Sequence, residues 1–130
     1  MNIKKLTIEL TKEKEKLEYY TQVNLESFIT NKEIVSETKI TLFKTADILN
    51  SILHQIALKR VGRLPKSSSE CVNFLIKNNY LNRKLGGSFK KLFRFLFFNY
   101  DVSAVEDEKE IYDVAKKTAE DLNKFIKEKL

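Results

Sequence analysis

The chain has 130 residues, with 24 Lys and Arg against 18 Asp and Glu, for a net charge of +6, and one cysteine, Cys71, beside one histidine, His54. Those two single residues exclude an intramolecular disulfide framework and leave a structural zinc site without ligands, so neither a metal nor a cofactor is expected. The length suits one domain over residues 1–130, and without an apolar run near ~20 residues the expected setting is cytoplasmic, with no export signal and no membrane span.

Periodicity reads as helix nearly throughout. The first predicted helix covers residues 3–29, striped by Ile3, Leu6, Leu10, Leu17, Tyr20 and Phe28 and interrupted by Glu13. The second, 32–61, carries Ile34, Thr38, Thr41, Leu42, Thr45, Leu49, Ile52, Leu53 and Ile56 at three-and-four spacing. Thr30-x-x-Glu33 has the capping-box form in front of it, and Gly62 with Pro65 ends it, since glycine accepts the left-handed closing turn and proline cannot continue the ladder.

A short helix, 68–78, follows the capping box Ser67-x-x-Glu70. The next spans about 81–99; Gly86-Gly87 either delays its start or marks a close helix approach. The last, 104–129, follows Ser103-x-x-Glu106 and is striped by Ile111, Ala115, Thr118, Leu122, Phe125 and Ile126. Short connections make neighbours antiparallel, so the expected fold is all-α: an up-and-down bundle of four long helices plus one short helix.

The fourth helix is the least ordinary. Phe89, Leu92, Phe93, Leu96 and Phe97 form one stripe while Phe95 and Phe98 point elsewhere, which leaves the helix apolar around most of its circumference. Such a helix is buried on more than one side, either deep within a monomer or at a homodimer two-fold through the Phe89–Phe98 helix. Arg94 sits inside this run and is either a satisfied structural arginine or the anchor of an anionic site.

Charge is unevenly spread. Residues 1–30 sum to 0, 31–64 to +3, 65–100 to +6 and 101–130 to −3. Lys59, Arg60, Arg63, Lys66, Lys77, Arg83, Lys84, Lys90, Lys91 and Arg94 have only Glu70 among them, a field suited to phosphate backbones or to an acidic protein partner, the plain alternative being a solvated Lys-rich face. Gly86-Gly87 lacks the spacing of a phosphate-binding loop. Cys71 reads as a buried small side chain, and Tyr19, Tyr20 and Tyr80 as core aromatics or base-stacking groups.

The order of these features resembles the HEPN family of helical nucleotide-binding domains over about residues 32–130. The residues that carry it are the helix ending Ile56-Ala57-Leu58-Lys59-Arg60-Val61-Gly62-Arg63-Leu64-Pro65, the short helix after Ser67, the stretch from Phe93-Arg94 to Asn99-Tyr100-Asp101, and the final helix through Ala119-Glu120-Asp121-Leu122. The resemblance implies a dimer whose nuclease members pair an arginine with a histidine five to seven residues later. Here Arg94 matches that arginine, and the first such position holds Asn99. Imidazole moves protons near neutral pH and a carboxamide does not, so binding of RNA or a nucleotide is expected in place of robust cleavage.

Binding would rest on Arg83, Lys84, Lys90, Lys91, Arg94 and Tyr100, within a toxin–antitoxin or nucleotidyltransferase-associated system. His54, with a polar strip of Asp47, Asn50 and Ser51 at seven, four and three residues before it, is the one replacement base the chain offers. Two alternatives stay open: a non-enzymatic helical module that docks an acidic protein, and a metal-independent endoribonuclease using Arg94 with His54 or Asn99.

Overall fold

The computed structural model describes residues 2–98 and 107–130, apart from the side chains of Phe97 and Phe98. Among these residues there are six helices and no strand: α1 Ile3–Tyr20, α2 Leu25–Thr30, α3 Lys32–Val61, α4 Ser68–Lys77, α5 Arg83–Phe98 and α6 Glu108–Lys129. None is long and apolar enough to cross a membrane.

The expected first helix is two. α1 stops at Tyr20 with Thr21 as its cap, and Asn24 starts α2 by accepting the Ser27 amide at 2.8 Å. Between them the Val23 carbonyl accepts the Tyr112 hydroxyl at 2.7 Å, and Phe28 meets the Tyr112 ring edge-on at 5.1 Å, which fastens the corner to α6. Asn31, not Thr30, caps α3: its carboxamide oxygen accepts the Ile34 amide at 3.1 Å, while the Thr30 hydroxyl bonds back to Glu26 and Ser27 carbonyls. Asparagine at the cap competes directly with threonine and is the stronger cap.

Other punctuation matches the sequence reading. Gly62 closes α3 at φ 81°, and Ser67 caps α4 through the Glu70 amide at 3.1 Å. α4 ends in a Schellman motif in which Asn79, at φ 65°, takes the left-handed place usual for glycine; the Tyr80 amide reaches the Leu75 carbonyl at 2.9 Å. Asn82 starts α5 by accepting the Leu85 amide at 2.7 Å, so this helix opens at Arg83 and runs through both glycines. Gly86 is a close approach: a Cβ there would lie 2.5 Å from Ile76 Cδ1 and 3.2 Å from Val72 Cγ1 of α4. Asp107 caps α6 by accepting the Lys109 and Glu110 amides. The expected start of α6 at 104 and the Ser103–Glu106 box lie outside the described residues.

The four long helices alternate in direction. Lys14 bonds Asn123 while Val23 bonds Tyr112, so α1 and α6 are antiparallel; Phe89 packs edge-on to Phe125 at 5.4 Å, with α5 antiparallel to α6. α3, 30 residues and roughly 45 Å long, touches every other helix. α4 departs from simple alternation. Ser68 bonds Asn50 at 2.6 Å and Arg60 bonds Asn78 at 2.6 Å, so the loop after Gly62 folds back and α4 runs beside α3 in the same sense.

One core joins all six helices. Leu10, Leu17, Leu42, Leu49, Leu53, Leu75, Leu122 and Phe125 are fully buried in it. Four threonines bury their hydroxyls at no cost in lost hydrogen bonds: Thr21, Thr38, Thr41 and Thr45 each donate to the carbonyl four residues back, at 2.7–2.8 Å. Glu13 fills the stripe position between Leu10 and Leu17 and is buried, with Oε2 3.1 Å from Lys16 Nζ and Oε1 without any partner.

Candidate nucleic-acid interface on helix α5

At 100° per residue, Leu85, Phe89, Leu92 and Leu96 fall on one side of α5 and are buried. Phe93 and Phe95 flank that stripe and are half-buried. The opposite side carries Arg83, Lys84, Gly87, Lys90, Lys91 and Arg94. The helix is thus apolar on its inner half and basic on its outer half as far as Arg94, which replaces the expected apolar circumference for that stretch. A cation placed among phenylalanines in the sequence is, on the helix, at the far side from them. Consistently, Arg94 is exposed, and among the described residues no hydrogen bond or ion pair engages its guanidinium.

The stripe has no carboxylate of its own. Lys90 donates to Asn73 Oδ1 of α4 at 2.8 Å, which holds its ammonium toward the α4 side. Lys91 leans to the other side and lines a groove of about 230 Å³ against α6 with Ser88, Asp113, Lys117 and Asp121. Lys109 and Lys117 neutralise the two acids there, at 2.7 and 3.0 Å. From Arg83 to Arg94 the stripe is about 16 Å long at 1.5 Å per residue, with a cation on each turn but one.

His54 is half-buried on α3. Its Nδ1 lies 2.9 Å from the Asn50 carbonyl of its own helix, and no bond connects it to Arg94. Asn50 is engaged by Ser68, so this member of the polar strip ties α4 to α3. Asp47 and Ser51 are exposed, and Asp47 is therefore no buried counter-ion for Arg94. Asn99 and Tyr100 lie outside the described residues. No group of three or more His, Cys, Asp or Glu that could hold a metal is present among the described residues.

Two features escaped sequence reading. At the end of the bundle remote from Arg94, Arg60 and Lys129 cover the Tyr80 ring at 5.0 and 5.1 Å, and Arg63 covers Phe74 at 4.7 Å. Burial raises the Tyr80 phenol, opposed by the Arg60 charge. No linear spacing announces these pairs, because they join α3, the loop after it, α4, the turn after it and α6. Cys71 is fully buried, and burial pushes its thiol up to about 11, far from a reactive thiolate.

No family model matches this sequence, and no curated protein is similar to it. Among solved structures, one described as the crystal structure of the toxin-antitoxin with AMP-PNP superposes with a TM-score of 0.79 at 19% identity, covering 98% of this chain and 96% of that one. The chain shares its helical fold, over nearly its whole length, with a protein of a toxin–antitoxin complex.

Proposed function

We propose that this chain is the HEPN-like member of a toxin–antitoxin pair, acting as one domain, and that it holds RNA or a nucleotide on the outer face of α5, whose basic character as far as Arg94 takes away the apolar ground for a homodimer seam over that stretch. Arg94 is the anchor, with Lys91, Lys90, Lys84 and Arg83 following the phosphates; Tyr100, outside the described residues, is assigned to the same ligand on sequence alone. The observation that carries the reading is an exposed Arg94, unpaired among the described residues, at the end of a stripe without acids, on a fold shared with a toxin–antitoxin protein. AMP-PNP in that neighbour's structure supports a nucleotide as a ligand of the pair.

The chemistry of the stripe is binding. An arginine forks onto a phosphate and spreads its charge, but it has no proton to exchange near neutral pH. His54 is engaged through Nδ1 within its own helix, and among the described residues it makes no hydrogen bond to Arg94, which favours binding over cleavage. The test is a gel shift of labelled single-stranded RNA, with cleavage read on the same gel and affinity followed against salt. Arg94→Ala weakens binding and lowers the log–log salt slope by about 0.7, one phosphate contact on a single strand, with an unchanged melting temperature. Unchanged affinity and slope would refute the assignment; cleavage that His54→Ala abolishes would restore the nuclease reading.

A further inference from the structure

Among the described residues, three of the seven exposed large hydrophobic side chains, Leu58, Val61 and Leu64, fall within seven consecutive positions, at 48%, 37% and 66% exposure. Scattered apolar residues on a surface need no explanation, whereas a cluster rimmed by charge is the usual mark of a contact surface. Leu58 and Val61 are three apart on the outward side of the last turns of α3. Leu64 follows after Gly62 has turned the chain. Beside Val61 lies a notch of about 270 Å³ whose other walls are Arg63, Phe74, Lys77 and Asn78.

The cations beside this patch are Arg63 and Lys77 in the notch and Lys59, Arg60 and Lys66 in adjacent sequence, and among the described residues none of their side chains is paired with a carboxylate; the one acid close by in sequence, Glu70, is turned to the Lys66 backbone amide at 3.4 Å. Two of these cations are already fixed in place. Arg63 lies flat on Phe74 at 4.7 Å; Arg60 lies on Tyr80 at 5.0 Å and donates its Nε to Asn78 Oδ1 at 2.6 Å. A guanidinium held on a ring keeps its outer N–H groups free for a carboxylate and has already given up much of its rotamer freedom, which lowers the cost of binding.

We infer that this face docks an acidic amphipathic segment of a partner protein, its apolar side chains on Leu58, Val61 and Leu64 and its carboxylates on Arg63, Arg60 and Lys77. A nucleic acid fits less well. Base stacking needs open aromatic faces, and here the rings of Phe74 and Tyr80 are covered by Arg63, Arg60 and Lys129. Aliphatic side chains have nothing to match on a phosphate backbone. The patch adjoins the Arg83 end of the α5 stripe, since Lys77 and Arg83 line one groove, whereas Arg94 lies at the other end of that stripe and so tests the α5 reading apart from this one.

The probe is a fluorescein-labelled helical peptide with leucine at i, i+3, i+4 and i+7 and glutamate elsewhere, followed by anisotropy with the intact chain. Two comparators are a shuffled peptide of the same composition and a patterned peptide with glutamine for glutamate; a labelled single-stranded RNA is the fourth. The patterned acidic peptide binds about tenfold tighter than either comparator peptide, a margin expected when both apolar and ionic contacts count. Leu58→Ser/Val61→Ser/Leu64→Ser weakens it about tenfold, and Arg63→Ala weakens it several-fold, without lowering the melting temperature. Arg94→Ala, which tests the α5 reading, leaves peptide binding as it was. Equal binding of the shuffled peptide, an unaffected triple variant, absence of saturable binding, or loss of RNA binding in the triple variant while the peptide still binds would each overturn the inference.

Discussion

Glu13→Leu should make the protein more stable. Glu13 occupies a core stripe at 7% exposure, and its Oε1 has no partner. A buried polar group left unsatisfied costs about 1–3 kcal/mol, and a charged one more. What the carboxylate gives back is one contact to Lys16, a residue whose side chain is half-exposed, and such a pair is worth at most about 1 kcal/mol. Helix propensity hardly separates Glu from Leu, and leucine at this site adds apolar surface to a core that already holds Leu10 and Leu17 on either side. The net expectation is a gain of about 1–3 kcal/mol, and for a chain of this length each kcal/mol raises the melting temperature by about 3–5 °C. Urea and thermal unfolding followed by circular dichroism at pH 7 measure it. Lys16→Ala serves as control and shifts stability by less than about 1 kcal/mol. If Glu13→Leu instead lost more than about 1 kcal/mol, the carboxylate would be holding the bundle together and the reasoning would fail.

The two adjacent glycines of α5 should respond in opposite directions. Gly87→Ala meets nothing within 4 Å and stabilises by about 0.5–1 kcal/mol, whereas Gly86→Ala forces Ile76 aside and costs about 1–3 kcal/mol; equal effects in urea titrations would contradict the close α4–α5 approach. Cys71 should resist iodoacetamide at pH 8 in the native protein and react once urea unfolds it, and rapid native alkylation would contradict its burial. Because burial raises this thiol to about 11, its contribution to stability is intact below about pH 8.5 and falls as pH rises toward 11, where the unfolded chain gives up the proton first. Cys71→Ala should remove that part of the alkaline loss, which unfolding midpoints at pH 8 and 10.5 would reveal.

Helix class and most boundaries were legible because they are written locally. The α3 stripe, Gly62 and Ser67 each act on residues within one or two turns, so spacing alone is enough to place them. The corner at residues 21–24 was not legible, since what breaks the helix there is a capping asparagine and a hydroxyl from Tyr112, 89 residues away. Thr30 and Asn31 show the same limit from the other side: two adjacent caps compete, and the stronger one, Asn31, is used while the Thr30 hydroxyl bonds back into α2. For the site, the sequence identified Arg94 as unusual but read its neighbours as a surrounding; the helix separates them, with Phe89 and Leu92 inward and Arg94 outward. The capped rings at the other end, Tyr80 and Phe74, are covered by cations from α3, the loop after it and α6, and leave no linear trace.

The threonines of α3 carry a consequence for how freely this protein can change. Thr38, Thr41 and Thr45 return their hydroxyls to their own helix, so their demand for a hydrogen bond is met before any neighbour arrives. A helix packed against them has only to match their shape, which valine shares. Substitution along this seam can therefore pass between threonine and valine one residue at a time, with no compensating change required on the opposing helix.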